Sequence, residues 1–552
     1  MPFAQNLPFF SILLPILCGV VCLSLGSAAA RRLTLAALTV ECVVSAVLLV
    51  YAVGTGESFT YMMGHFPAPF GNEIRAGALE AFMALAFSAV MLLSSAGGLD
   101  DAGRDIPEKK HNYLFLMLCF LLAAMLTIIY TNDIFTAYVF IEIITLSACS
   151  VIAVKEGGKP LIAAMSYLIM SLIGSALLLL SIALLYTITG HLLMPQLRSG
   201  IGELAVSGSY DVPMFILTGL MITGLGIKSA LFPFHSWLPN AHAHATTAAS
   251  SVLSGLIVKC YLLLMIKLLV RVFGLDTAAH LRSGAILMVL GTLGLIAGSV
   301  IAIKQRDIKQ MLSYSTVAQV GYICIAIGLG SEAGMAAACF HIAVHAAAKS
   351  MLFTSAGGLI RASGHKKDFG SLCGAARRDP ASGAAFICGA LSMVGIPLFS
   401  GFVSKLYTSA ASVGTQFEAS AILAVVVVST VMNAMYYFPM VVCILAKQPA
   451  AEEQAGAAGG ATGAGGTRAE AVSGKAGGAA GVRSAAPGSA VTADGAALVS
   501  SSGAGAAPVK ARAMRTPAYN AALAAFLLIN LSLGVFSQPV FKIIEQGIKV
   551  FG

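Results

Sequence analysis

The sequence predicts an all-α polytopic membrane protein: about fourteen transmembrane helices, with two inverted five-helix repeats and discontinuous helices at positions 7 and 12. Three observations lead there. Hydrophobic residues make up 58% of the 552 and charged ones only 10%, where a soluble domain carries about 25% charged residues; most of the surface must face lipid. Apolar runs long enough to cross a bilayer, about 17–25 residues each, recur along the chain, too long and too evenly apolar for barrel strands. In two of these runs, backbone interrupted by proline or glycine lies beside a lysine.

In chain order the runs lie near 7–26, 33–53, 77–97, 113–131, 134–154, 161–187, 212–232, 243–266, 284–303, 309–330, 334–358, 383–408, 419–446 and 518–541. The first lacks the basic start and small-residue cleavage site of a signal peptide and reads as a retained span. An even count puts both termini on one side. Loops after the odd-numbered spans hold twenty-two lysines and arginines and the opposite loops seven, so the first set is cytoplasmic and both termini face outward. Lys228, Lys259, Lys349 and Lys405 fall within spans, and topology does not explain them. Residues 449–515 are rich in Ala, Gly, Ser and Thr and read as a low-complexity cytoplasmic linker. The expected layout is helices 1–3 in 1–111, a first repeat (helices 4–8) in 112–270, a second (helices 9–13) in 271–448, the linker in 449–516 and helix 14 in 517–552.

Several function classes recede on composition. The net charge of +9 comes from short loops, as membrane orientation requires, and does not signal nucleic acid. The eleven cysteines are scattered without a CxxC pair; they read as small apolar core residues, neither disulfides nor metal ligands. No bound cofactor is expected, and any redox chemistry belongs to partners.

An ionisable side chain in hydrocarbon is a functional candidate by default. Glu142 sits eight residues into span 5 and reads as a proton-carrying carboxylate beside Lys228, against a structural acid paired to a neighbouring helix. A paired lysine favours the ionised carboxylate, and losing it lets the acid take a proton. Lys228 precedes the bend at Leu231-Phe232-Pro233-Phe234. Lys405 follows Gly395-Ile-Pro-Leu-Phe-Ser-Gly401. Proline removes a backbone donor, and broken spans in matching positions of two halves point to a transporter's midplane site. Both are the fourth helix of a five-helix unit, and five being odd inverts one unit relative to the other. Lys259 follows the small-residue run Ala248–Gly255, where helices pack closely, and reads as a relay rather than a lysine snorkelling to the surface, since Lys267 and Arg271 already supply the interface residues. His341, His345 and Lys349, spaced i, i+4, i+8, form one stripe on span 11. They read as a proton path between the half-sites; a metal site is the weaker rival, lacking a carboxylate or cysteine at ligand spacing. His242 and His244 offer a proton entrance or a plain interface. Tyr314 and Gln319 extend the polar set, and Glu41 in span 2, outside the repeats, is read as pairing with a partner subunit.

With these residues in view, the sequence resembles the antiporter-like, proton-translocating subunits of respiratory complex I, which are similar to the large subunits of Mrp-type sodium/proton antiporters and of membrane-bound hydrogenases. The resemblance covers roughly 75–445. It rests on Phe234-His-Ser-Trp-Leu-Pro239 with His242, on Ser254-Gly255 ahead of Lys259, on the His341/His345/Lys349 stripe, and on the Gly395 to Lys405 segment. It implies a multi-pass subunit of the cell inner membrane within an energy-converting complex, with no redox centre of its own. Its partners would be other membrane subunits of a respiratory, hydrogenase or antiporter assembly, and its ion H⁺ or Na⁺. It further implies that Glu142 and Lys228 form the first-half pair, Lys259 and the span-11 stripe the connecting path, and Lys405 the second-half residue. The sequence departs in having lysine at that last position, where one branch has glutamate, and in lacking a long lateral helix after span 14. A stand-alone transporter for an organic solute is the alternative of another class; it calls for a roomy midplane cavity rather than a line of titratable groups.

Overall fold

The computed structural model describes residues 3–66, 71–207, 210–415, 419–447 and 516–551. The expected linker at 449–516 lies outside them, Thr516 excepted. Among the described residues thirteen helices are long and apolar enough to cross a membrane. In order the main helices are α1 (Leu7–Cys22), α2 (Ser27–Thr55), α3 (Ala78–Asp105), α4 (His111–Tyr130), α5 (Ile134–Ala153), α6 (Gly158–Thr189), α7 (Met194–Ser207), α8 (Asp211–Lys228), α9 (Trp237–His244), α10 (Thr247–Phe273), α11 (Leu275–His280), α12 (Ser283–Lys304), α13 (Ile308–Gly328), α14 (Glu332–Ala362), α15 (Pro380–Val394), α16 (Ser400–Ala411), α17 (Ala419–Leu445), α18 (Pro517–Val535) and α19 (Ser537–Phe551). Thirteen of the fourteen expected runs are single helices of spanning length; the twelfth, expected to be discontinuous, is two shorter helices, α15 and α16.

Local chemistry sets the starts. Side chains of Asp133, Thr246, Asp307, Ser331 and Asp379 accept backbone N–H bonds in the first turns of α5, α10, α13, α14 and α15, satisfying donors that a helix N-terminus otherwise leaves unpaired. The packing is organised around α10 and α14. Every residue of α10 is buried, as is α14 from Gly334 to Ile360. Alanine and glycine dominate α14 and let neighbours approach closely. The other helices wrap these two and turn apolar faces outward, as with Leu161, Ile162 and Ile169 on α6 or Val427 and Val431 on α17.

Four expectations change. The loop after α2, expected as a plain connection, carries an antiparallel hairpin, Phe59–Met62 with Glu73–Ala76, which leaves the spans helical and the fold class unchanged. The loop before span 7 contains α7, whose Met194, Leu197 and Ile201 are fully buried. Lys267 and Arg271, expected at the membrane interface, are both buried. The Lys267 ammonium donates to the Ile128 and Ile129 carbonyls (3.2 and 2.7 Å), capping the C-terminus of α4, where a cation opposes the helix dipole. Cys373 and Cys443, read as core thiols, form a disulfide with Cα atoms 4.6 Å apart. They stand 70 residues apart in sequence, and only the folding of the post-α14 turn onto the end of α17 brings them together.

Candidate functional site

The first cluster forms where α8 ends. Lys228 closes that helix, and the Trp237 indole donates to the Ile227 carbonyl at 3.0 Å, fixing the turn. The Lys228 ammonium reaches α5, donating to Thr145 Oγ1 at 2.8 Å with Glu142 Oε1 at 3.6 Å. Glu142 and Thr145 are three residues apart, hence on one helix face. Ser175 of α6 donates to the Glu142 carboxylate. The lysine side chain is fully enclosed while the carboxylate is 26% exposed, so the pair has a dry end and an open one. The Tyr261 ring lies 5.7 Å from the ammonium, within cation–π range.

From there the polar groups continue along α10 and α14. Residues Leu253–Ile257 form a π-helical turn. Such turns free carbonyls that α-helical bonding would occupy, and Lys259 donates to the carbonyl of Ser254. Ser254 Oγ in turn bonds Thr316 Oγ1 of α13 at 2.8 Å. His345 is fully buried with both ring nitrogens unpartnered; its ring stacks on that of His341 at 5.7 Å. His341 is bonded on both sides, to Ser404 Oγ at 2.9 Å and Gln319 Oε1 at 3.2 Å. Lys349 donates to the Leu312 carbonyl (2.9 Å) and to Tyr437 Oη (3.2 Å).

The second cluster forms at the break between α15 and α16. Gly395 has φ +93°, a left-handed conformation that favours glycine. A Cβ at Gly401 would stand 1.8 Å from the Ser392 carbonyl oxygen, so only glycine lets α16 start against α15. The break leaves the Val394 carbonyl free, and Lys405 donates to it at 2.8 Å and to Thr430 Oγ1 at 3.0 Å.

The structure thus joins Lys228 to Glu142 and, through Ser404, sets His341 one residue from Lys405. It does not join Lys228 directly to Lys259, nor Lys259 to His345. Tyr167 and Tyr261, both fully buried with unbonded hydroxyls, stand on the Lys228 side of the first gap. His242 is buried on α9, stacked on Phe353 at 4.5 Å with neither ring nitrogen bonded. His244 turns back on the Asn240 carbonyl of its own helix. Lys309 and Lys367 donate to the carbonyls of Ala245 and Ala243 around the turn from α9 to α10. They border a cavity of about 80 Å³ shared with Asp101, Asp105, Lys155 and Arg361. There burial pushes the Asp101 carboxyl up, with Arg361 at 3.3 Å pulling it back. Burial pushes the Lys367 ammonium down, against Asp307. Gln319 joins the seam; Tyr314 instead packs edge-on against His235. Glu41 does not face outward to a partner, as expected, but is fully buried within this chain.

Sequence reasoning missed Thr430, Asn433, Tyr436 and Tyr437 on α17. Tyr437 links Lys349 to Ser315 of α13 (2.9 Å), and Tyr436 bonds the same serine at 3.0 Å. The available signal was their spacing of three and four, which places Thr430, Asn433 and Tyr437 along one helix face.

Buried lysines, histidines and one carboxylate in a helical membrane body define an antiporter-like, proton-translocating membrane subunit. The comparisons agree. The family described as NADH:quinone oxidoreductase/Mrp antiporter, TM, matches residues 131–433. NADH-quinone oxidoreductase subunit N of Desulforudis audaxviator (strain MP104C) is 32% identical over 445 residues, 79% of this chain and 86% of that protein. An antiporter subunit, mnhD2, of Staphylococcus haemolyticus (strain JCSC1435) is 28% identical over 73% of this chain and 78% of its own length. Two solved structures share the fold. A chain of the membrane-bound sulfane sulfur reductase, an archaeal respiratory membrane complex, aligns with TM-score 0.76 and 22% identity over 99% of this chain and 96% of its own. A chain of the Mrp complex from Dietzia sp. DQ12-45-1b aligns with TM-score 0.78 and 20% identity over the whole of both. This chain belongs to the NADH:quinone oxidoreductase/Mrp antiporter family of membrane subunits, whose members work within multisubunit membrane complexes.

Proposed function

We propose that this subunit moves protons along the buried seam, in the plane of the membrane, for an energy-converting complex whose redox chemistry resides in other subunits. In this reading 112–270 and 271–448 are inverted repeats. Glu142 and Lys228 are the first-half pair, Lys259 with His345, His341 and Lys349 the connection, and Lys405 the second-half site. A proton arriving on Glu142 cancels the charge that holds the Lys228 ammonium, which then passes its proton inward; the Glu142 proton then moves to Lys228, which restores the pair. The orientation is the one the loop charges favour, with both termini outside.

The observation that carries this reading is the enclosed Lys228 held 3.6 Å from a partly open Glu142, at one end of a run of titratable groups leading to Lys405. The test is proton pumping by the assembled complex in liposomes. Lys228→Ala and Lys405→Ala are each expected to lower it at least tenfold with the complex intact, and pumping at the wild-type rate would overturn the reading. Similarity to the mnhD2 subunit favours a second reading, a subunit of an Mrp-type Na⁺/H⁺ antiporter. Proton movement that requires sodium on the opposite side would select it.

A further inference from the structure

Glu41 lies mid-way along α2, outside the seam, and is fully buried. Ser45 donates to its Oε1 at 3.3 Å, and Ser11 of α1 faces the carboxyl from the other side. Oε2 has no hydrogen-bond partner. The surrounding helices offer Ser11 from α1, Cys42 and Ser45 from α2 itself, Glu80 from α3 and Tyr130 from α4. Among the described residues none of these is a cation, and no lysine, arginine or histidine pairs with Glu41. An ionised carboxylate there costs several kcal/mol without a counter-charge. A bound metal cation would need a shell of six or so oxygens, and among the described residues the carboxyl, two serine hydroxyls and the Tyr130 hydroxyl are the oxygens around this point. A proton satisfies the carboxyl with one donor.

A route also leads to it. Tyr130, fully buried with an unbonded hydroxyl, lies beside Ser45 within electrostatic reach of both Glu41 and Glu80. Glu80 bonds Arg75 at 2.9 Å, and Arg75 donates to the Val550 carbonyl at 2.5 Å. Both acid and arginine line a cavity of about 390 Å³ beside the hairpin. We propose that Glu41 is a proton-binding site of the N-terminal helices, separate from the seam, exchanging its proton with the face at this cavity through Tyr130 and Glu80. The inference does not depend on the seam, and its failure leaves that reading untouched.

Infrared difference spectroscopy on the full-length protein in its complex, in lipid nanodiscs at neutral pH, tests it. Glu41→Gln is expected to remove a carboxylic-acid C=O band that Glu142→Gln retains. Tyr130→Phe is expected to keep the band but slow its shift in D2O at least tenfold, because the hydroxyl that would carry the proton between Glu41 and Glu80 is gone. Absence of a band assignable to Glu41, or its loss on adding sodium, would overturn the proposal. Where Glu41→Gln does not accumulate, unchanged deuterium exchange in Tyr130→Phe overturns it equally.

Discussion

Replacing Glu142 by Gln removes one charge and keeps the shape. The Lys228 ammonium is fully enclosed, and Glu142 is the one carboxylate within ion-pair range among the described residues. At 3.6 Å the attraction is roughly 4–5 kcal/mol at an effective dielectric of about 20. Two things reduce it. The carboxylate is 26% exposed, so water screens part of the field, and the bond to Thr145 survives the substitution. About 3 kcal/mol remains, in the range for breaking one side of a buried pair and equal to roughly a hundredfold in an equilibrium. If cycling of this pair gates each proton, pumping should fall by about that factor while electron transfer by the complex continues. The assay is acidification of liposomes holding the assembled complex, followed with a pH-sensitive dye and normalised to redox turnover. Glu142→Asp, which keeps the charge, should recover much of the loss. Pumping within twofold of wild type in Glu142→Gln would refute the coupling argument.

Tyr437→Phe removes the hydroxyl that joins Lys349 to Ser315; losing about 1 kcal/mol of hydrogen bonding should slow pumping about fivefold in the same assay, with a melting temperature lowered by no more than about 2 °C. Arg361→Met strands the largely enclosed Asp101, whose carboxyl burial already raises above its ordinary 3.8. A raised carboxyl costs stability when ionised, so the deficit should be about 3 kcal/mol in alkali and shrink as pH falls through the folded value, read as melting temperature against pH; a deficit constant with pH would count against the assignment. Alkylation of the denatured, unreduced protein should leave Cys373 and Cys443 unlabelled and joined in one peptide pair by mass spectrometry, and two labelled thiols would show that the link does not form.

The charged part of the candidate site was legible because an ionisable group in a membrane span stands out against its surroundings: Glu142, Lys228, Lys259, the histidines of α14 and Lys405 became candidates by their positions alone. The neutral part was not. Thr430, Asn433 and Tyr437 are ordinary residues for a membrane helix, and they matter because α17 packs where Lys405 and Lys349 end. Lys267 was misread because a sequence does not distinguish a lysine at a lipid interface from one capping another helix.

A common rule connects these lysines. An ammonium with no carboxylate nearby needs backbone carbonyls, and an intact helix has already used most of its own. Lys259 takes the Ser254 carbonyl at a π-helical turn, Lys405 the Val394 carbonyl where α15 stops, and Lys267 two carbonyls at the end of α4. Lys309 takes the carbonyl of Ala245 in the turn before α10. Lys349 is the exception: it takes the Leu312 carbonyl inside α13, shared with Thr316 Oγ1, and adds Tyr437. Buried lysine and disturbed backbone therefore go together for an energetic reason, which is why proline and glycine beside a lysine marked the α15–α16 break before any coordinates did. Lys228 differs from the other lysines: it takes a hydroxyl and a carboxylate, Thr145 Oγ1 and Glu142 Oε1, in place of a backbone carbonyl, and in the proposed reading that makes it the position where one arriving proton changes the local charge balance most.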